Sequence, residues 1–353
     1  MSNYISIVRR FNEVRADFST CQSRIVDSFK AHIVFDLKEN TLNTMEELYT
    51  LKIGFVHSEK SYLPEINAYE AYFNEQEGIE AQIITNNELK EMNSNDFDVL
   101  WKFPGMDMRR NFKDVKVIHE YNSLSTGYFP SFKNYLKKHY NVIPDGKVFL
   151  NEKVESDLKT KDKMPAIIRD MGIAKQFFIQ NTKKEFDFVY VGAMGKGREL
   201  EFALQPFTTT LKHKSMLLIG QPNDDLYAQY KNHSNIIFTG VMPYIEIPNI
   251  ASKAIYGFNY MPDIYPFNVQ ASTKLLEYCA LGLKVVTSDY HWLREFEKHR
   301  EGRFFKLNAD LANFTQNELD NFSFMTPNLQ DLEWHQLFDN INLLGFLNQV
   351  VRH

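Results

Sequence analysis

At 353 residues the chain exceeds what one hydrophobic core usually serves, so two domains are the first expectation. Apolar residues make up 44% and charged residues 24%, and the net charge of -5 argues against a nucleic-acid binder, which needs a basic face to neutralise phosphates. No run approaches the roughly 18 apolar residues of a membrane span. The first residues lack a signal peptide's apolar core, and Cys21 and Cys279 lie too far apart in sequence for a disulfide framework or metal-ligand spacing, so the expected compartment is the cytoplasm.

Residues 1–50 read as an appendage with His32–Leu37 as one candidate strand. From residue 51, short apolar runs alternate with helical stretches, the mark of a parallel α/β sheet. Leu51–His57, Ala81–Thr85, Val99–Phe103, Val115–Glu120 and Val148–Asn151 read as strands covered on both faces. Ile66–Gln76 carries Tyr69, Tyr72 and Phe73 at helical spacing, and Gly78 is placed to stop that helix. Tyr128–Lys138 mixes Phe129, Phe132, Tyr135 and Leu136 with Lys133, Lys137 and Lys138. It reads either as an ordinary helix with its apolar face in the core or as a basic amphipathic helix touching an anionic membrane or lipid-linked acceptor.

Thr160–Glu185, with Pro165, Gly172 and mixed charges, suits a connection. The linker is drawn at 171–185, between a first domain over 1–170 and a second over 186–331. Strand-like runs in the second are Asp187–Ala193, Met216–Gly220, Asn235–Gly240, Tyr256–Met261 and Lys284–Ser288, with Arg303–Leu307 as a sixth. Leu332–Val351 has Trp334, Leu337, Phe338, Ile341, Leu344 and Leu347 at helical spacing, predicting one amphipathic helix in 332–353 that packs back on the first domain. Gly345 inside it costs about 1 kcal/mol of helix propensity against Ala.

Open parallel sheets bind ligands at the carboxyl ends of their strands, and two loops of the second domain are chemically loaded there. In Gly192-Ala193-Met194-Gly195-Lys196-Gly197-Arg198, glycines let backbone approach a ligand and Lys196 and Arg198 bring positive charge. The other loop enters a helix that begins at Ser272, a good N-cap, and stops at Gly282. Lys274 and Glu277, three apart, share a face. The helix N-terminus suits a diphosphate, Lys274 reinforces it, and Glu277 can accept two hydrogen bonds from a ribose diol. A nicotinamide-dependent oxidoreductase fits poorly, because Gly192, Gly195 and Gly197 miss G-x-G-x-x-G and the next strand ends in Ile219-Gly220 without an acid. In the first domain, His119 and Glu120 end an apolar strand, where an acceptor hydroxyl would meet a base if the strand end faced a cleft.

Ile237-Phe238-Thr239-Gly240-Val241, Ile247-Pro248 and Ser272-x-Lys274-Leu275-Leu276-Glu277-Tyr278-x-Ala280-x-Gly282 together resemble the C-terminal domain of GT-B glycosyltransferases, nearest the large retaining family of bacterial surface-polysaccharide synthesis. The likeness is good over roughly 186–297 and weaker over 51–170, where Val117-Ile118-His119-Glu120-Tyr121 and Val148-Phe149-Leu150-Asn151 look like parts of an acceptor domain. It implies two Rossmann-like domains facing across a cleft, with a sugar moved from a nucleotide donor, most often a UDP-sugar, to a glycan or lipid-linked acceptor. It implies neither an obligatory metal nor a cofactor besides the donor. By that similarity Lys274 meets the diphosphate and Glu277 the ribose, and Gly192, Lys196, Arg198, Met242, Asn268, Ser272 and Thr273 complete the donor set; Glu120 and His119 are the acceptor-side candidates. One departure stands out. The retaining family's Glu-x7-Glu has its second glutamate at Glu277 but would have its first at Val269, so Asn268 or backbone amides must serve the donor sugar. A sugar-nucleotide epimerase and a non-catalytic sugar-nucleotide-binding subunit are the alternatives.

Overall fold

The computed structural model describes residues 50–58, 63–125, 128–181, 183–265 and 267–353; the side chains of Lys196 and Phe267 are outside that description, as are residues 1–49 with His32–Leu37. Two six-stranded parallel sheets carry the fold. The first comprises β1 (Leu51–His57), β2 (Ile79–Thr85), β3 (Val99–Lys102), β4 (Lys116–Tyr121), β5 (Gly146–Phe149) and β6 (Ala166–Ile168), in the order β2-β1-β3-β4-β5-β6. The second comprises β7 (Phe186–Val191), β8 (Met216–Ile219), β9 (Ile236–Gly240), β10 (Ala254–Asn259), β11 (Lys284–Ser288) and β12 (Phe305–Leu307), in the order β12-β11-β10-β7-β8-β9. Every residue of β3, β5 and β8 is buried, as continuous apolar runs between helical layers require.

The order of the second sheet fixes where its chemistry can be. From β7 the chain winds outward through β8 and β9, then returns to lay β10 on the other side of β7. That reversal leaves a crevice at the carboxyl ends of β7 and β10, the position where doubly wound sheets hold ligands. The two chemically loaded loops are the ones leaving β7 and β10.

Strand β6 was hidden in the expected connection. It is three residues long, follows Pro165 and lies at the sheet edge, where a proline that lacks an N–H does no harm. The Pro165 carbonyl still accepts from Lys147 N–H. Just beyond β6, Ile173 and Glu333 bridge in parallel, so the two crossings between the halves run side by side; a Cβ on Gly172 would come within 2.2 Å of the Trp334 ring.

The carboxyl-terminal segment is two helices, Trp334–Asn340 and Leu343–Arg352, rather than one. Asn342 breaks them with φ 53°, and its side-chain oxygen caps the second by accepting from Gly345 N–H. Gly345 is there because a Cβ would sit 2.3 Å from the Asn342 amide nitrogen. Both helices lie on the first sheet. Tyr72 donates to Asp339 at 2.8 Å, Tyr69 stacks on Phe338 at 4.7 Å, and Gly146 makes room for Val350 and Phe346. The helix Pro130–Tyr140, by contrast, keeps its aromatic side chains out of the core; Asn134 is its only fully buried residue.

Candidate functional site

The carboxyl ends of β7, β8 and β9 form a floor with almost no side chains. Gly192, Gly220 and Gly240 end the three strands with φ of +127°, +135° and +74°, values that L side chains rarely adopt. They are stitched together by Gly192 N–H to Ile219 O and Gly220 N–H to Gly240 O, each 2.9 Å. A Cβ on Gly220 would strike the Gly192 carbonyl at 2.3 Å, whereas one on Gly192, Gly195 or Gly197 would meet nothing within 4 Å. The loop is therefore open on its outer side, and its backbone can be approached closely.

The helix Thr273–Ala280 closes the other side of the crevice. Leu275, Leu276 and Cys279 are buried beneath it, and Tyr278 lies so flat on β10 that only glycine fits at 257. The Tyr278 hydroxyl accepts from Val191 N–H at 2.8 Å, tying the helix to the end of β7. Ser272 does not cap this helix. Its hydroxyl donates to Asn259 Oδ1 at 2.8 Å, and Asn259 in turn donates to Thr287 and Tyr290. The cap expectation failed because a buried polar strand residue competed for the same hydroxyl, and no other side chain caps the helix.

Lys274 reaches back over the floor. Its Nζ lies 4.3 Å from the centre of the Tyr190 ring and 3.2 Å from the Tyr190 hydroxyl. Burial pushes the Lys274 ammonium down to about 7; Arg198 adds to the shift and Glu277 opposes it. Glu277, one turn deeper, is 5% exposed and accepts from the Tyr244 hydroxyl at 2.6 Å. Burial lifts its carboxyl to about 7, against the pull of Tyr244 and Lys274. Arg198 donates to the Met261 thioether at 3.1 Å. Burial thus pushes two groups of opposite charge toward their neutral forms. A dianion would restore the Lys274 charge, and a diol would give Glu277 its missing donors.

Of the remaining donor candidates, Thr273 opens the helix and Met242, half-buried after β9, packs on the large core. Asn268 lies in the turn Phe267–Val269 with its side-chain oxygen enclosed and, among the described residues, without a hydrogen-bond partner. The Lys196 side chain falls outside the described residues. A cavity of about 580 Å³ opens beside the Arg198 contact, lined by Met261, Tyr260, Glu199, Ser288, Asp289 and Asn308. A second, of about 530 Å³, is lined by Cys279, Ala280 and Gly282 at the far end of the same helix, where carbonyls rather than amides project. Tyr190 and Tyr244 were missed from sequence, because an aromatic in an apolar run or a turn reads as core.

The two acceptor-side candidates are not at a cleft. β4 runs one residue further than expected, to Tyr121, so Glu120 lies within the strand and points into the protein. It is 1% exposed, and both oxygens are taken: Arg169 Nε donates at 2.9 Å and Trp101 Nε1 at 2.8 Å. Arg169, itself fully buried, also donates to Asn122 and lies 5.1 Å from the Trp334 ring. His119 is fully buried on the other face, 2.9 Å from Asp107 and 3.2 Å from the Tyr121 hydroxyl, and burial holds its pKa below the usual range. It stands in register with Lys102 and Lys147, which Asp107 and Asp162 neutralise. These are internal polar clusters.

No protein-family model matches the chain, and no curated protein matches its sequence. Solved structures do match in shape. AviGT4, a glycosyltransferase involved in avilamycin A biosynthesis, aligns over 86% of this chain and 99% of its own at TM-score 0.58 and 12% identity. HepE of Anabaena in complex with UDP and glucose aligns over 86% and 98% at TM-score 0.58 and 10% identity. The MnaA–UDP structure from S. aureus aligns over 85% and 97% at TM-score 0.57 and 11% identity. The fold is that of the GT-B glycosyltransferases. In a GT-B frame the glycine floor and the Lys274 helix belong to the second of the two Rossmann-like sheets.

Proposed function

We propose that the chain is a glycosyltransferase that takes its sugar from a nucleotide donor, with a UDP-sugar as the leading candidate, and hands it to a glycan or lipid-linked acceptor in surface-polysaccharide synthesis. The observation that carries this reading is the pairing of half-neutral Lys274 and Glu277 across from the open glycine loop, at the reversal of strand order. The UDP complexes among the structures of like fold agree with the choice of nucleotide.

In this reading the diphosphate lies between Gly192–Arg198 and the first turn of the Thr273–Ala280 helix. Lys274, Arg198 and the uncapped amides stabilise the negative charge that develops as the sugar departs. Glu277 takes the ribose hydroxyls and Met242 lies toward the base. Asn268 offers its unpartnered oxygen to a donor-sugar hydroxyl where Val269 replaces the family's acid. The 580 Å³ cavity beside Met261 gives a saccharide room. Glu120 and His119 keep the first sheet in shape from inside and are not assigned the acceptor proton.

A thermal-shift screen against UDP-, GDP-, TDP- and CMP-sugars tests the reading, since a ligand of the native state raises the melting temperature by mass action. UDP-sugars are expected to give the largest shift, and a flat response to all four classes would refute it. Donor binding with no transfer or hydrolysis would favour the non-catalytic subunit, the alternative that Val269 supports.

A further inference from the structure

The helix Pro130–Tyr140 and the loop beside it expose an apolar surface that the donor site does not use. Among the described residues, eight of the sixteen exposed large hydrophobic side chains fall within 106–143. Tyr128 is 89% exposed, Phe129 78%, Phe132 59% and Tyr135 53%. At 100° per residue, Phe132, Tyr135 and His139 share the outward face, and Tyr135 and His139 stack at 4.1 Å. The inward face is pinned by Asn134, which accepts from Ser125 N–H.

The surface continues onto a neighbouring loop. Asp107 pairs with Val142 and Asn141 through backbone and side chain, and Arg110 donates to the Ile143 carbonyl at 3.0 Å. Exposed Met106, Met108 and Ile143 therefore border the helix. Phe129 stands out further because it has φ 53°, a left-handed conformation that is costly for a bulky residue, yet its ring is in solvent.

The charge around the ridge is basic, although the whole chain carries -5. Exposed Lys133 lies along one flank and half-buried Lys138 along the other, while Lys137 falls on the inward side near Asn134. Burial on that inward side, and then its neighbour Lys133, holds the Lys137 ammonium below its usual range. Exposed Arg109 extends the basic border. An aromatic ridge flanked by lysines matches a bilayer interface, with rings at the boundary and ammonium groups among anionic headgroups.

We propose that this face docks on an anionic lipid bilayer, holding the chain at a membrane surface by Phe129, Phe132 and Tyr135 with Lys133, Lys138 and Arg109. The docking stands independently of the donor reading. No helix among the described residues is long and apolar enough to span a membrane, so the attachment is peripheral.

The full chain is sedimented with vesicles of phosphatidylcholine alone and with vesicles containing about one-third phosphatidylglycerol. It is expected to sediment with the anionic vesicles only, and less at high salt. Lys133→Glu with Lys138→Glu should reduce binding by more than about tenfold, at roughly fivefold per charge removed. Phe129→Ser with Phe132→Ser should reduce it comparably by removing the buried rings. Both variants should keep the wild-type melting temperature and UDP affinity, since the altered side chains are at the surface. Equal sedimentation of variants and wild type, or no preference for anionic vesicles, overturns the proposal. Lipid-free self-association that Phe132→Ser abolishes also overturns it and gives the face to a second copy.

Discussion

Arg169 donates its Nε–H to Glu120 at 2.9 Å with neither side chain open to solvent. Glu65, which accepts from Asn122, approaches the same guanidinium at 3.7 Å, so two carboxylates share one arginine beneath Trp334. Glu120→Gln leaves Glu65 as the carboxylate facing Arg169 and disturbs two buried hydrogen bonds to a charged group, each worth about 1.5–3 kcal/mol. Glu120→Gln is therefore expected to lower the urea midpoint by a few kcal/mol equivalent while leaving nucleotide affinity within about twofold. An unchanged midpoint together with a turnover loss beyond about a hundredfold would return Glu120 to a catalytic role.

Lys274→Ala removes an ammonium seated on Tyr190 above the glycine floor. A nucleoside diphosphate should bind about 1.5–3 kcal/mol more weakly, the scale of a hydrogen bond to a charged group. Titration calorimetry with UDP on the folded variant measures this, and wild-type affinity would remove Lys274 from the site.

The strands were legible because continuous apolar runs bounded by turn residues have few other readings, and eleven of the twelve have counterparts in the sequence pattern. β6 escaped because three residues carry no period, and its loss concealed Arg169 as the partner of Glu120. The helix Thr273–Ala280 was legible in its extent. Ser272 was not, since its partner Asn259 is 13 residues away in sequence and only the fold brings the two together. The break at Asn342 was hidden for a different reason: the apolar spacing continues through it, while a left-handed asparagine and Gly345 redirect the backbone.

The glycine floor gives a contrast between neighbours. Gly220→Ala should destabilise the fold by roughly 2 kcal/mol or more, because φ +135° and a Cβ 2.3 Å from the Gly192 carbonyl must both be accommodated. Gly195→Ala meets nothing within 4 Å and should leave the melting temperature unchanged while weakening UDP, whose diphosphate would meet the new methyl group. Equal melting temperatures for the two variants would contradict the close approach of β7 and β8.

Glu277 ties stability to function through pH. Its carboxyl stands at about 7 in the folded chain against 4.5 ordinarily, chiefly because it is buried. Between those values the folded state holds a proton that the unfolded state has released, so this residue's stabilising contribution falls as pH rises through the window and stays lost above it. Lys274 shows the opposite sign: its folded value of about 7 lies below 10.5, and its contribution is lost as pH falls through that range. Near pH 7 the ligand-free crevice is therefore at its least stable, with both charges paired to too little. Glu277→Gln keeps an acceptor for the Tyr244 hydroxyl and removes the titration. It is expected to stabilise the ligand-free protein at pH 8 by on the order of 2 kcal/mol and to leave it nearly unchanged at pH 4.5. The same variant should bind UDP more weakly, having lost the charged acceptor for the ribose. Urea unfolding at the two pH values, with calorimetry beside it, measures both effects. A variant that is less stable at pH 8, or one that binds UDP as tightly as wild type, would show that the buried carboxylate is not held in reserve for a ligand.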